Sequence, residues 1–93
     1  MADTLSRNMP EISRFLGIVI GMFFNEHGAP HFHVVYGEHE ATIEIDTERV
    51  HGYFPARICA LALEWSRAHR SELHEDWRLA RAGEPLLRIP PLE

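Results

Sequence analysis

Three histidines stand close together in the chain, His27, His31 and His33, and the last two are separated by one residue. Side chains two apart on a β-strand point the same way, so an extended backbone would present both imidazoles to one ligand. A carboxylate facing them completes the two-histidine, one-carboxylate set that suits zinc, iron or nickel. Glu44 and Asp46 are the acids that a hairpin would bring across. His27, His31, His33, Glu44 and Asp46 are therefore the candidate metal ligands, and the candidate cofactor is a divalent transition metal such as zinc. Two other readings fit the same residues. Cross-strand ion pairs on a solvated sheet face need no ligand at all. An imidazole beside a carboxylate is also the general base of a metal-free ribonuclease, with His31 or His33 in that role, if a nearby arginine stabilises the phosphorane charge.

A second constellation lies further along. Counted at 100° per residue on a continuous helix, Arg67, Arg70, His74, Arg78 and Arg81 fall within about 80° of arc. That stripe is the candidate surface for a protein partner or a nucleic acid backbone. A break near Arg70 would destroy the alignment, and local pairs such as Glu64–Arg67 and Glu75–Arg78 would make it an ordinary solvated face. Cys59, the only cysteine, sits in a helical pattern where a free thiol is a packing group, and no serine nucleophile with a base stands out.

The elements that must position these groups follow from the hydrophobic pattern. Phe15 to Phe24 alternates large apolar residues with Gly17 and Gly21, which predicts one central strand. The turn formers Asn25 to Pro30 end it. Residues 31–36 and 41–46 alternate around Gly37-Glu38-His39-Glu40 and predict a hairpin. With Glu38 and His39 at its tip, Phe32 faces Ile45, Val34 faces Ile43 and Tyr36 faces Ala41. On the other side Val35 meets Thr42, His33 meets Glu44 and His31 meets Asp46. A slip of one residue would mix these faces and bury charge.

Gly52 and Pro55 mark the switch to helix. Ile58, Leu61, Ala62 and Trp65, then Leu73, Trp77 and Ala80, recur at helical spacing. Ser71, followed by Glu72, Glu75 and Asp76, is a candidate cap for a second helix. The expected fold class is α+β over residues 9–93: a three-stranded antiparallel β-meander, with residues 86–89 a candidate fourth C-terminal strand, packed against one or two α-helices. Residues 1–8 read as a flexible N-terminal extension.

Ninety-three residues permit one domain. The formal net charge of −5 gives no general attraction to nucleic acid. Its whole excess lies between Asn25 and His51, where Glu26, Glu38, Glu40, Glu44, Asp46 and Glu48 face Arg49 alone. A single cysteine cannot close an internal disulfide, which points to a reducing cytoplasm. No apolar run reaches the length of a membrane span.

Met9-Pro10-Glu11-Ile12, His27-Gly28-Ala29-Pro30-His31-Phe32-His33-Val34, Tyr36-Gly37-Glu38, Gly52 with Pro55, Glu64-Trp65, Glu72-Leu73 with Trp77, and Ile89 with Pro91-Leu92 form a recognisable set. From Met9 to Leu92 the chain thereby resembles a small bacterial and archaeal family, domain of unknown function 4160. The family's usual start coincides with Met9, which implies that residues 1–8 are an extension or an alternative start. Relatives often stand beside, or are fused to, a domain of unknown function 2442, which implies a two-component module of the toxin–antitoxin or regulatory kind. The resemblance brings no catalytic residues. The functional expectation is a non-enzymatic protein-interaction or regulatory module, pairing with a small protein encoded nearby or with a second copy of itself. A divalent-metal-binding protein and a histidine-dependent ribonuclease toxin are the alternatives.

Overall fold

The computed structural model describes residues 9–93; residues 1–8, read above as an extension, lie outside the described residues. Five antiparallel strands form one meander in chain order: β1 (Glu11–Phe15), β2 (Ile18–Gly21), β3 (His31–Tyr36), β4 (His39–Glu44) and β5 (Val50–Gly52). Two helices follow, α1 (Ala56–Ala68) and α2 (Arg70–Arg81). The class is α+β as expected, with two more strands than the pattern predicts.

One added strand comes from the N-terminal apolar run. Phe15 to Phe24 is not a single central strand, because Leu16 and Gly17 turn the chain with φ of 52° and 81°. Positive φ at both central residues is the backbone of a tight two-residue hairpin turn. Leu16 hides that turn from pattern reading, since its apolar side chain continues the alternation while standing 64% exposed at the tip. The other added strand, β5, pairs with β4 through Ala41–Gly52, Thr42–His51 and Ile43–Val50.

The β3–β4 hairpin has the expected faces but a register shifted by two. Gly37 and Glu38 form the tip, with φ of 58° at Gly37, so His31 faces Glu44, Phe32 faces Ile43, His33 faces Thr42 and Val34 faces Ala41. Glycine at the first central position suits a two-residue turn better than the longer loop centred on Glu38 and His39. Shifting the register by two preserves the parity of every side chain. Phe32 and Val34 therefore still point to the core with Ala41 and Ile43, all four buried.

Pro55 stands at the N-terminal boundary of α1, and Ile58, Ala62 and Trp65 are buried along one side of it. The helical run breaks at His69, whose φ of −127° is non-helical, and α2 restarts at Arg70. His69, not Ser71, occupies the N-terminal boundary of α2. Leu73, Asp76, Trp77 and Ala80 are its buried side, so Asp76 belongs to the packed stripe and is not an exposed capping acid. Trp65 anchors the core, with ring centroids 5.7 Å from Phe15 and 5.8 Å from Phe32.

The C-terminal segment forms no strand; it is a strap over the domain. Ile89 N–H donates to the Ile12 carbonyl at 2.8 Å, Trp65 Nε1–H donates to the Pro90 carbonyl at 2.8 Å, and Leu87 N–H donates to Asp76 Oδ1 at 2.9 Å. The Leu87 N–H is taken by a helix side chain instead of a neighbouring strand, and Pro90 and Pro91 stop any extension of the segment as a ladder. No helix of the described residues is long and apolar enough to cross a membrane.

Candidate metal centre

His31 and His33 alternate on β3 and share a side, as the spacing requires. The carboxylate that joins them is neither Glu44 nor Asp46 but Glu26, in the connection between β2 and β3. Asn25 and Gly28 adopt left-handed backbone there, with φ of 59° and 91°, and the loop folds back over the start of β3. A single oxygen, Glu26 Oε1, lies 3.0 Å from His31 Nε2 and 2.8 Å from His33 Nε2.

The second nitrogen of each ring decides what this arrangement can do. His31 Nδ1 lies 2.9 Å from the Ala29 carbonyl. A carbonyl only accepts, so Nδ1 carries the proton and donates. In a neutral ring, Nε2 then aims a lone pair at a carboxylate oxygen. A neutral ring and the carboxylate can share a cation there, whereas a protonated ring donates Nε2–H to Glu26 directly. His33 is 8% exposed, and its Nδ1 is buried without a hydrogen-bond partner among the described residues, 3.8 Å from Glu40 Oε2. Aromatic rings flank both imidazoles: Phe23 stands edge-on to His33 at 4.8 Å, and Trp77 of α2 lies 5.0 Å from His31. Such neighbours restrict ring rotation and lower the local dielectric.

The donor set fits a small transition-metal ion. With zinc–nitrogen bonds of about 2.0–2.1 Å, ligand atoms of a tetrahedral site sit roughly 3.3 Å apart. One ligand atom from each of Glu26, His31 and His33 lies within 4.8 Å of the others. The Glu26 oxygen, 3.0 and 2.8 Å from the two Nε2 atoms, is near that spacing, and its side chain, 28% exposed, sits in a surface loop.

The other expected ligands are engaged elsewhere. His27 is exposed and outside the three-residue cluster. Glu44 faces His31 in the register, but its carboxylate accepts from Thr47 Oγ1 at 2.7 Å and pairs with His51 Nε2 at 2.9 Å. His51 first, then Thr47, hold its carboxyl below the ordinary value of 4.5. Asp46, past the end of β4, pairs with His74 Nε2 at 2.7 Å.

The basic stripe is interrupted by the break at His69, and acids occupy most of it. Arg67 and Arg70 converge on Glu48 at 2.8 and 3.1 Å. Arg67 above all, with Arg70, holds the Glu48 carboxyl below its ordinary value. His74 is on Asp46, Arg78 pairs with Glu75 at 2.6 Å, and Arg81 is exposed at the end of α2.

Sequence reasoning missed Glu26 because no periodicity relates a loop residue to a strand. The available signal was an acid in a turn-rich segment directly before His-x-His. A second missed pair is His69 Nδ1 with Glu72 Oε1 at 2.5 Å, at the helix junction.

Fold and site together define a small α+β domain, an antiparallel meander backed by two helices, that carries two histidines and a carboxylate where the β2–β3 connection meets the sheet. Residues 17–78 match the model of a family described as a domain of unknown function, DUF4160. The chain belongs to that family. No curated protein and no solved structure matches it.

Proposed function

We propose that this is a metal-binding domain in which Glu26, His31 and His33 hold one divalent transition-metal ion. The observation that carries the reading is the convergence of His31 Nε2 and His33 Nε2 on one Glu26 oxygen, with the Ala29 carbonyl taking the His31 Nδ1–H as it would for a ligating imidazole. Metal-ligating histidines commonly donate their second N–H in this way. Two imidazoles and one carboxylate leave coordination positions open to water or another ligand, as zinc and non-haem iron sites do. The ribonuclease reading is less well supported. It needs an arginine beside the imidazoles, whereas Glu26, Glu40, the Ala29 carbonyl, Phe23 and Trp77 flank His31 and His33.

Purification without an affinity tag, followed by elemental analysis and zinc titration calorimetry, tests the proposal. About one equivalent of metal is expected for the natural chain, with strongly weakened binding in His31→Ala and His33→Ala. No uptake of zinc, iron, nickel or copper refutes it.

A second reading, an interaction module that pairs with a small protein such as a domain of unknown function 2442 neighbour in a cytoplasmic toxin–antitoxin-like system, draws support from one feature. The three-residue strand β5 is an edge of the sheet, and Tyr53 beside it is 68% exposed. Light scattering of the protein alone and mixed with that neighbour tests this; a monomer indifferent to the neighbour counts against it.

A further inference from the structure

Resting on the metal-site reading, we infer that Glu40 is a positioning residue: its carboxylate takes the Nδ1–H of His33 and aims the opposite nitrogen at the ion.

Each ligating imidazole has two nitrogens to satisfy. When a metal takes the Nε2 lone pair, the ring proton must reside on Nδ1 and needs an acceptor. His31 meets this need through the Ala29 carbonyl. His33 has no backbone carbonyl in that role; its Nδ1 is buried beyond reach of solvent and has no hydrogen-bond partner. The acceptor within reach is Glu40 Oε2, at 3.8 Å. The register explains why. Glu40 faces Val35 and His33 faces Thr42, so Glu40 is the diagonal cross-strand neighbour of His33 on the same side of the sheet. Loading the site fixes the proton on Nδ1, and the Glu40 side chain closes to hydrogen-bond distance. The resulting chain runs from carboxylate to imidazole to metal, with Glu26 as inner ligand and Glu40 as outer support.

The experiment compares zinc affinity in the natural chain, Glu40→Gln, Glu40→Ala and Glu44→Gln, with the ligand-field spectrum of the cobalt form and the urea midpoint of the metal-free form. Glu44 lies on the same side of β4 but serves Thr47 and His51, so Glu44→Gln removes one negative charge without touching the chain. Glu40→Gln retains a weaker, neutral acceptor. The expected loss is about tenfold for Glu40→Gln and larger for Glu40→Ala, with Glu44→Gln within about twofold of the natural chain. The metal-free urea midpoint should stay unchanged, since the Glu40 side chain is 32% exposed, whereas the cobalt ligand-field bands should shift in the Glu40 variants and not in Glu44→Gln, because the His33 ring loses its outer support. If the natural chain binds zinc and both Glu40 variants match it, the positioning role is overturned while the metal site stands. Equal losses in Glu44→Gln and Glu40→Gln also overturn it, because general charge then explains the effect. If the natural chain takes up no metal, the metal site itself falls and this role with it.

Discussion

Replacing Asp76 with asparagine should abolish one component of the pH dependence of stability. Asp76 sits on the buried stripe of α2 with 0% relative exposure; Oδ1 accepts from Leu87 N–H at 2.9 Å and Oδ2 has no partner. Burial raises its pKa above the ordinary 3.8; the Leu87 N–H opposes that rise, and the neighbouring carboxylates of Glu75 and Glu72 add to it. The folded chain therefore keeps a proton that the unfolded chain has released, in the window from pH 3.8 up to the folded value. Within that window the native state binds more protons, so stability falls as pH rises, by at most about 1.4 kcal/mol per pH unit. Once both states are ionised the loss is complete, and a buried, half-partnered charge costs on the order of 1–3 kcal/mol or more. An asparagine in its place would keep an oxygen for Leu87 N–H and carry no charge at any pH. Glu11, Glu44, Glu48 and Glu75 all have lowered pKa values, so their contribution has the opposite sign, present above 4.5 and lost as pH falls. For Glu11, Glu44 and Glu48, which do not act on Asp76, that contribution is common to both proteins and cancels in their difference. Urea unfolding from about pH 4 to about pH 8 should show Asp76→Asn gaining about 1–3 kcal/mol on the natural chain across that range, with equal urea slopes. A difference that does not change with pH would refute the assignment of a buried, proton-retaining carboxyl.

Leu16→Asn should raise stability by about 1 kcal/mol, since asparagine tolerates left-handed backbone better than leucine and the exposed Leu16 side chain contributes little packing; urea midpoints measure it, and a loss of stability would mean that Leu16 packs in the folded chain. Trp65→Phe removes the donor to the Pro90 carbonyl and part of a fully buried side chain, so a loss of at least about 1 kcal/mol is expected. Native-state hydrogen exchange should then show faster exchange at Ile89 N–H, because the strap is released locally; unchanged protection there would sink the strap assignment. Glu48→Gln frees both Arg67 and Arg70 on exposed surface, and should move the urea midpoint only slightly, a difference that shrinks in high salt. A larger, salt-independent loss would contradict the view of this triad as a solvent-screened pair of contacts.

Much of the fold was legible from residue pattern, and the places where it was not share a cause. Helical spacing of Ile58, Ala62 and Trp65 identified the buried side of α1, since burial of one stripe is what selects that spacing. The β1–β2 turn escaped because its first residue is leucine, a type that carries no turn signal, and its conformation is imposed by pairing of the strands on either side. Asp76 looked like a helix-start acid, but its position three after Leu73 and one before Trp77 places it under the strap, a surface that exists only after the chain end has folded back. The site divides in the same way. His31 and His33 were legible; Glu26 and Glu40 were not.

The amino-acid order alone determined parity: which residues of the β3–β4 hairpin share a side with Phe32 and Val34, and which share the opposite side with His31 and His33. Any pairing that buried the opposite set would place charge in the core, so local chemistry sufficed. Tertiary structure decided the pairing within that parity, because registers two residues apart bury the same faces and only the tip at Gly37 separates them. It also decided which acid meets which base. Glu26 reaches the histidines, Glu44 reaches His51, Asp46 reaches His74 and Glu48 reaches Arg67 and Arg70. These partners meet through loop paths and the packing of helices on the sheet, and no period along the chain encodes such distances.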